Sequence, residues 1–367
     1  MNPAFSIYLD LVRFAAALLV FVYHSNQRWL VQPILPLSNY GHSSVIVFFV
    51  LSGFVIAWVT DTKENTWRSY FASRISRVYS VVVPALVLCL VLDTVGRQLW
   101  TVPYGNYPYD QLAVRLGASL LMLNEPWFVS ITSLSNVPFW SITYEFWYYV
   151  LFGLAMFLPA RWKWWCVGGL ALALGPKIAM LAPIWLAGVL LYRWKALERV
   201  PLGVAWLLVV ASTALIVLGH TEGTFDAMWG WFRDQVGRQR FDQFTFSKFF
   251  LADYVLGLLV FANFVGMRRV APTVRPLFDA IGPVVKFLAG YTFTFYLLHQ
   301  PLFLFWGAVL RGDNAGYATW FTVAGLTFVS VFVVGLLTEQ RRPALRRAVL
   351  RLLERWPPRP ARAVAHD

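Results

Sequence analysis

Ten stretches of this sequence read as membrane-crossing helices, and they constrain its fold more than any other feature: 7–25, 42–60, 78–96, 138–159, 164–176, 178–193, 202–219, 249–266, 285–309 and 317–338. About 20 apolar residues span a hydrocarbon core of ~30 Å, with shorter segments tolerated where they pair. In hydrocarbon each backbone N–H and C=O must be satisfied within the protein, which favours helices that do so internally. The chain is therefore expected to be an all-α polytopic membrane protein. Composition agrees: 59% of residues are hydrophobic and 13% charged, against about 25% charged in a soluble domain. The 18 Trp among 17% aromatics suit the interface between hydrocarbon and headgroups. A net charge of +13 would suggest nucleic acid as the partner of a soluble protein. Here the placement of Lys and Arg matters more than their sum, and no nucleic acid is expected.

With the N-terminus in the cytoplasm, the connections on that side hold 21 basic residues, against nine outside, and Arg13 lies within the first helix. This obeys the positive-inside rule and puts both termini in the cytoplasm. Residues 111–124 are apolar but short, and reading them as a full span would invert every later loop. They are expected to re-enter or lie at the interface. The longest outer connection, 220–248, is mixed in charge and rich in aromatics, fit to cap a site on the outer face. Residues 1–340 form one membrane domain and 341–367 a basic tail. The tail sequence RRPALRRAVLRLLERWPPRPAR reads as a basic amphipathic helix ending in Pro that would anchor on anionic lipid. Cys89 and Cys166 sit in apolar runs and predict no disulfide. The first run contains Asp10 and Arg13 and has no small-residue cleavage site after it, so it is read as a retained helix.

Ionisable residues inside spans are costly and each is a functional hypothesis. The first helix carries three: Asp10, Arg13 and His24. At 100° per residue Arg13 and His24 share one stripe, about 16 Å apart along the axis, with Asp10 close to that stripe. Such a seam must face protein or a cavity. Asp10 and Arg13 can be an i, i+3 pair that holds the bundle, and His24 a hydrogen bonder at a helix end; imidazole also suits proton abstraction from a hydroxyl. Arg74 and Arg77 stand three residues apart at the cytoplasmic mouth of the third span, where topology alone explains them or their fork-shaped donors meet phosphates. Ser52 and Gly53 sit mid-helix, as close packing or a cavity wall requires. Ser141, Tyr144 and Glu145 open the fourth span at the depth expected for His24, making that His a plausible partner for Glu145. His299 precedes Pro301 by two residues, where it could support the local kink. Asp93 and Asp253 lie in apolar context without an assignable role.

Taken in order, these pieces resemble the acyltransferase-3 family of membrane acyltransferases, which includes the O-acetyltransferases of O-antigen and Nod factor. Arg13 and His24 meet its pattern of Arg, ten residues, then His. Arg74 and Arg77 meet its Arg-x-x-Arg, and FFVLSGF, WSITYEFWYY and YLLHQPLF look like family segments over about residues 5–340. The resemblance implies a stand-alone member in the bacterial inner membrane, with acetyl-CoA as donor, a cell-envelope carbohydrate or glycoside as acceptor, membrane lipids around it and no metal.

Acyl transfer to an alcohol needs a base, a donor site and oxyanion donors. On that expectation His24 is the base, and Glu145 orients its imidazole or holds the acceptor. Arg74 and Arg77 bind the donor's phosphates, while Arg13 pairs with the donor or with Asp10. Ser52, Ser141 and backbone amides are the oxyanion candidates; Tyr144 and His299 support the site. The competing class is a secondary transporter or flippase for a glycan or anionic substrate, which would also need buried charges and a Pro-broken helix. No paired, broken segments appear in the two halves to favour it.

Overall fold

The computed structural model describes residues 1–311 and 315–355. Among these there are fifteen α-helices and no β-strand. They are α1 (Pro3–His24), α2 (Gly41–Thr62), α3 (Trp67–Leu99), α4 (Leu112–Leu120), α5 (Phe139–Phe157), α6 (Ala160–Leu174), α7 (Pro176–Arg193) and α8 (Leu202–Thr221). There follow α9 (Thr224–Val236), α10 (Arg238–Gln243), α11 (Phe250–Val270), α12 (Arg275–Ala289), α13 (Thr292–Leu310), α14 (Tyr317–Thr338) and α15 (Arg342–Glu354). Local signals set the first starts: the Asn2 side chain caps α1 ahead of Pro3, and the Thr66 hydroxyl caps α3.

The chain is a multi-pass membrane protein in which seven helical segments are long and apolar enough to cross a bilayer. The three other expected spans, α5, α6 and α7, fall outside that set. Trp, Tyr and Glu145 lower the hydropathy of α5, α6 has 15 residues, and α7 carries Lys177 and Pro183. Two boundaries differ from the sequence reading. The third span is a 33-residue helix, so Arg74 and Arg77 sit on its continuous surface rather than in a loop. The ninth is broken at Gly290 and Tyr291, between the amphipathic α12 and α13.

Packing orders the bundle around α1. Phe5 meets Phe54 near the start of α1, and Tyr23 meets Gly41 near its end, so α2 runs antiparallel. Phe14 stacks on Phe295 and Phe21 meets Phe303, so α13 runs parallel to α1. α14 returns antiparallel, with Thr294 bonded to Thr338 and Trp306 to Ser330. It therefore finishes at the end of the bundle where α1 starts, called the near end below; α1 finishes at the far end.

α2 and α7 approach until their backbones touch. A Cβ at Gly53 would lie 1.9 Å from the Trp185 carbonyl oxygen, and one at Gly188 would lie 1.9 Å from that of Val50. Small residues permit such contact between membrane helices. Gly188→Ala is expected to cost about 1–3 kcal/mol, read as a lower unfolding temperature in detergent. An unchanged midpoint would show that the pair can separate freely.

α4 has nine residues, about 14 Å of helix, and cannot cross a bilayer. The chain after it, 121–138, is irregular yet partly buried, which membrane proteins tolerate only where protein satisfies the backbone. Asp93 does so by accepting from the Ser135 amide (2.9 Å) and hydroxyl (2.6 Å). The Asn124 amide donates to Ile131 O at 2.7 Å. The job missing for Asp93 is thus structural. Lys177, fully buried, pairs with Glu125 at 2.5 Å and ties this loop to α7.

Candidate active site

A cavity of about 530 Å³ opens among α2, α3, α5, α12 and α13 toward the near end. Its polar wall brings together Arg13, Arg77 and Glu145, with Lys286, Glu339 and Arg342 at the mouth. Val45, Phe48, Phe49 and Ile142 make its deeper part apolar. Asp10 pairs with Arg13 at 2.8 Å, as the i, i+3 spacing allows. Tyr149 donates to Glu145 and lies beside Arg77. Ser52 shares a 3.2 Å hydrogen bond with the Tyr149 hydroxyl and accepts one from Trp185 Nε1. Ser52 therefore serves both the helix seam and the cavity wall.

Arg74 and Arg77, expected to act together, are divided. Arg74 is 5% exposed and its Nη2 donates to both oxygens of Glu64 at 2.9 Å, with Tyr70 and Tyr149 against its guanidinium. That charge is committed to Glu64, while Arg77 faces the cavity.

The cavity stops short of His24. Tyr296 closes its deep end, sharing a 2.6 Å hydrogen bond with Ser141 and meeting the Phe48 ring edge to face. One helical turn beyond Tyr296 stands His299, 1% exposed, and there His24 is found. His24 Nδ1 lies 3.1 Å from His299 Nε2 and 3.0 Å from Val20 O. His299 Nδ1 faces two carbonyls, Tyr296 O at 2.7 Å and Phe295 O at 3.2 Å. These contacts assign the tautomers. Nδ1 of His299 must donate, so its Nε2 accepts; His24 then donates from Nδ1, leaving the lone pair on His24 Nε2. A neutral imidazole held in that tautomer can receive a proton.

The partner expected for His24, Glu145, is therefore replaced by His299; Glu145 lies one turn further along α5 toward the near end, among the cavity arginines. Nor does His299 serve the proline kink. Pro301 has no N–H to give the carbonyl four residues back, and that carbonyl, Leu297 O, accepts from Asn136 Nδ2 at 2.8 Å. Asn136 went unnoticed in the sequence, although a polar side chain in a loop beside a Pro-containing span is the signal that could have found it. Tyr144 lies apart from the cavity, its hydroxyl 2.9 Å from Ser247. Asp253 pairs with His42 at 2.9 Å. Replacing His299 by Phe is expected to remove one of the two acceptors that hold the His24 ring, leaving Val20 O alone, and to lower turnover about 10–100-fold, the usual loss when an orienting partner is removed; unaltered turnover would leave His299 a packing residue.

Helices enclosing a charged cavity and a pair of histidines, one of them fully buried, define a multi-pass membrane protein with an interior polar site. The chain belongs to the acyltransferase-3 family, whose profile, described as an acyltransferase domain, matches residues 6–339. Among characterised proteins it is similar to acyltransferase MdmB of Streptomyces mycarofaciens, at 31% identity over 173 residues covering 44% of this chain and 43% of that one. It is also similar to the exopolysaccharide production protein ExoZ of Rhizobium meliloti (strain 1021), at 30% over 141 residues, 36% of this chain and 40% of that one. The matched stretches thus span less than half of either relative. No solved structure matches.

Proposed function

We propose that this protein is an O-acyltransferase that moves an acyl group, in the simplest case acetyl, from acyl-CoA to a hydroxyl of a cell-envelope carbohydrate or glycoside, in the bacterial inner membrane. The observation that carries the reading is the line through one bundle: a basic cavity open at the near end, and His24 with a free Nε2 lone pair one turn past its deep end. MdmB is named an acyltransferase and ExoZ an exopolysaccharide production protein, which favours this chemistry and this acceptor class.

In this reading the near end is cytoplasmic. Arg77, Arg13 and Lys286 attract the donor's phosphates, and the pantetheine arm runs along the apolar wall of α2 toward Tyr296. Tyr296 must turn aside from Ser141 for the thioester to reach His24. His24 Nε2 then takes the proton of the acceptor hydroxyl, whose oxygen attacks the thioester carbonyl. The tetrahedral oxyanion collapses, the C–S bond breaks, CoA leaves as thiolate, and the imidazolium proton passes to it. Ser141, beside Tyr296 at the deep end, would donate to that oxyanion.

Purified protein given acetyl-CoA and a candidate glycan is expected to release free CoA thiol in step with ester formed on the glycan. Flux of glycan across proteoliposomes without thiol release would favour the transporter reading instead.

A further inference from the structure

We propose that the C-terminal helix α15 completes the donor site, with Arg342 as a phosphate-binding guanidinium beside Arg77; this rests on the donor reading above. Arg342 lies beyond the family match, which ends at residue 339, and in the sequence it reads as one charge of a basic tail. In the structure it lines the same cavity as Arg13 and Arg77.

Its placement follows from register. Ser69, Ser73 and Arg77 are spaced i, i+4, i+8, so they form one stripe of α3. Arg346 and Arg342, also four apart, lie against that stripe in reverse order: Arg346 Nη2 donates to Ser69 at 3.0 Å and Arg342 Nη2 approaches Ser73 at 3.5 Å. The next position along the stripe is Arg77. α15 is therefore docked on protein through part of its basic face, not held by lipid alone.

The charges at this mouth do not balance. Arg77, Arg342 and Lys286 converge, and Arg13 lies deeper in the same wall. Glu64 is bound to Arg74 and Asp10 to Arg13, so Arg77, Arg342 and Lys286 face two further carboxylates in the lining, Glu145 and Glu339, the latter already accepting two hydrogen bonds from Thr294. Like charges gathered under low-dielectric walls repel unless an anion joins them. Guanidinium forks are the groups that bind phosphate oxygens in pairs. The ligand this mouth fits is the multiply phosphorylated nucleotide end of a thioester donor, with its uncharged arm in the apolar part.

The test is equilibrium binding of CoA and of pantetheine, which lacks the nucleotide phosphates, to the full-length protein in detergent. Arg342→Gln is expected to weaken CoA by about 10-fold or more, the loss of a charge-assisted hydrogen bond, and to leave pantetheine within about twofold. Arg342→Lys should recover part of the loss. Unchanged CoA affinity would overturn the proposal. Equal weakening of both ligands, or a lowered unfolding temperature that accounts for the loss, would make α15 a structural brace and overturn it as well. Failure of the unaltered protein to bind CoA at all would sink the donor reading itself, a result distinct from either.

Discussion

His24→Ala is expected to lower acyl transfer by roughly 10²–10⁴-fold, the usual contribution of a positioned general base. The protein should still fold, because His24 closes a polar contact at a helix end and fills no apolar core position: it is half-buried, bonded to Val20 O and to His299. His24→Gln keeps a hydrogen-bond donor for His299 but supplies no imidazole, and it should be as inactive as the Ala variant. Measured as acceptor-dependent thiol release, activity within a few-fold of the unaltered protein would remove His24 from the chemistry.

The second large effect separates two arginines that look equivalent in sequence. Arg74→Ala strands the Glu64 carboxylate in a site where neither partner's side chain is more than 8% exposed. Breaking a buried pair in this way costs about 3–5 kcal/mol, so the expected result is poor yield or a large fall in unfolding temperature. Arg77→Ala removes a cavity charge whose neighbours Tyr149 and Glu145 keep their hydrogen bond to each other. It should fold normally and raise the apparent donor KM by about 10–100-fold, corresponding to ~1.5–3 kcal/mol for hydrogen bonds to a charged group. If the two variants behaved alike, the division of labour between them would be wrong.

The all-helical architecture was legible because its signal is simple: long apolar runs in a chain with few charges. The seam of Asp10, Arg13 and His24 was legible for a related reason, since ionisable groups on one stripe of an apolar helix must face inward. Contacts between distant segments were not. Glu145 and His24 were matched by estimated depth, but two helices fix depth only to within a turn or two. α5 carries Glu145 past that level to Arg77, and α13 brings His299 to His24. Arg-x-x-Arg likewise places Arg74 and Arg77 about 60° apart around α3, neighbours on one side of the helix, and only the partners brought by other segments divide them, Glu64 for one and the cavity for the other. The short helices α5 to α7 lay at the limit of hydropathy reading: α5 and α7 spend Tyr144, Tyr148, Lys177 and Trp185 on packing inside the bundle, and α6 has only 15 residues.

Asn136 and Arg342 show what a sequence hides for different reasons. Asn136 acts on a carbonyl 161 residues away, exposed by a proline whose effect could be foreseen but whose partner could not. Arg342 belongs to a run of basic residues whose composition suffices for membrane anchoring, so nothing distinguished it until α15 was seen against α3.

The central claim is that one route joins the basic mouth at the near end to His24 at the far end. It is tested most directly in proteoliposomes of uniform orientation, with acetyl-CoA confined to one side and a membrane-impermeant acceptor to the other. The account predicts ester formation when the donor is on the side of the α1 N-terminus and the acceptor on the opposite side, and none when the two are exchanged. Transfer only when donor and acceptor share one side would contradict it.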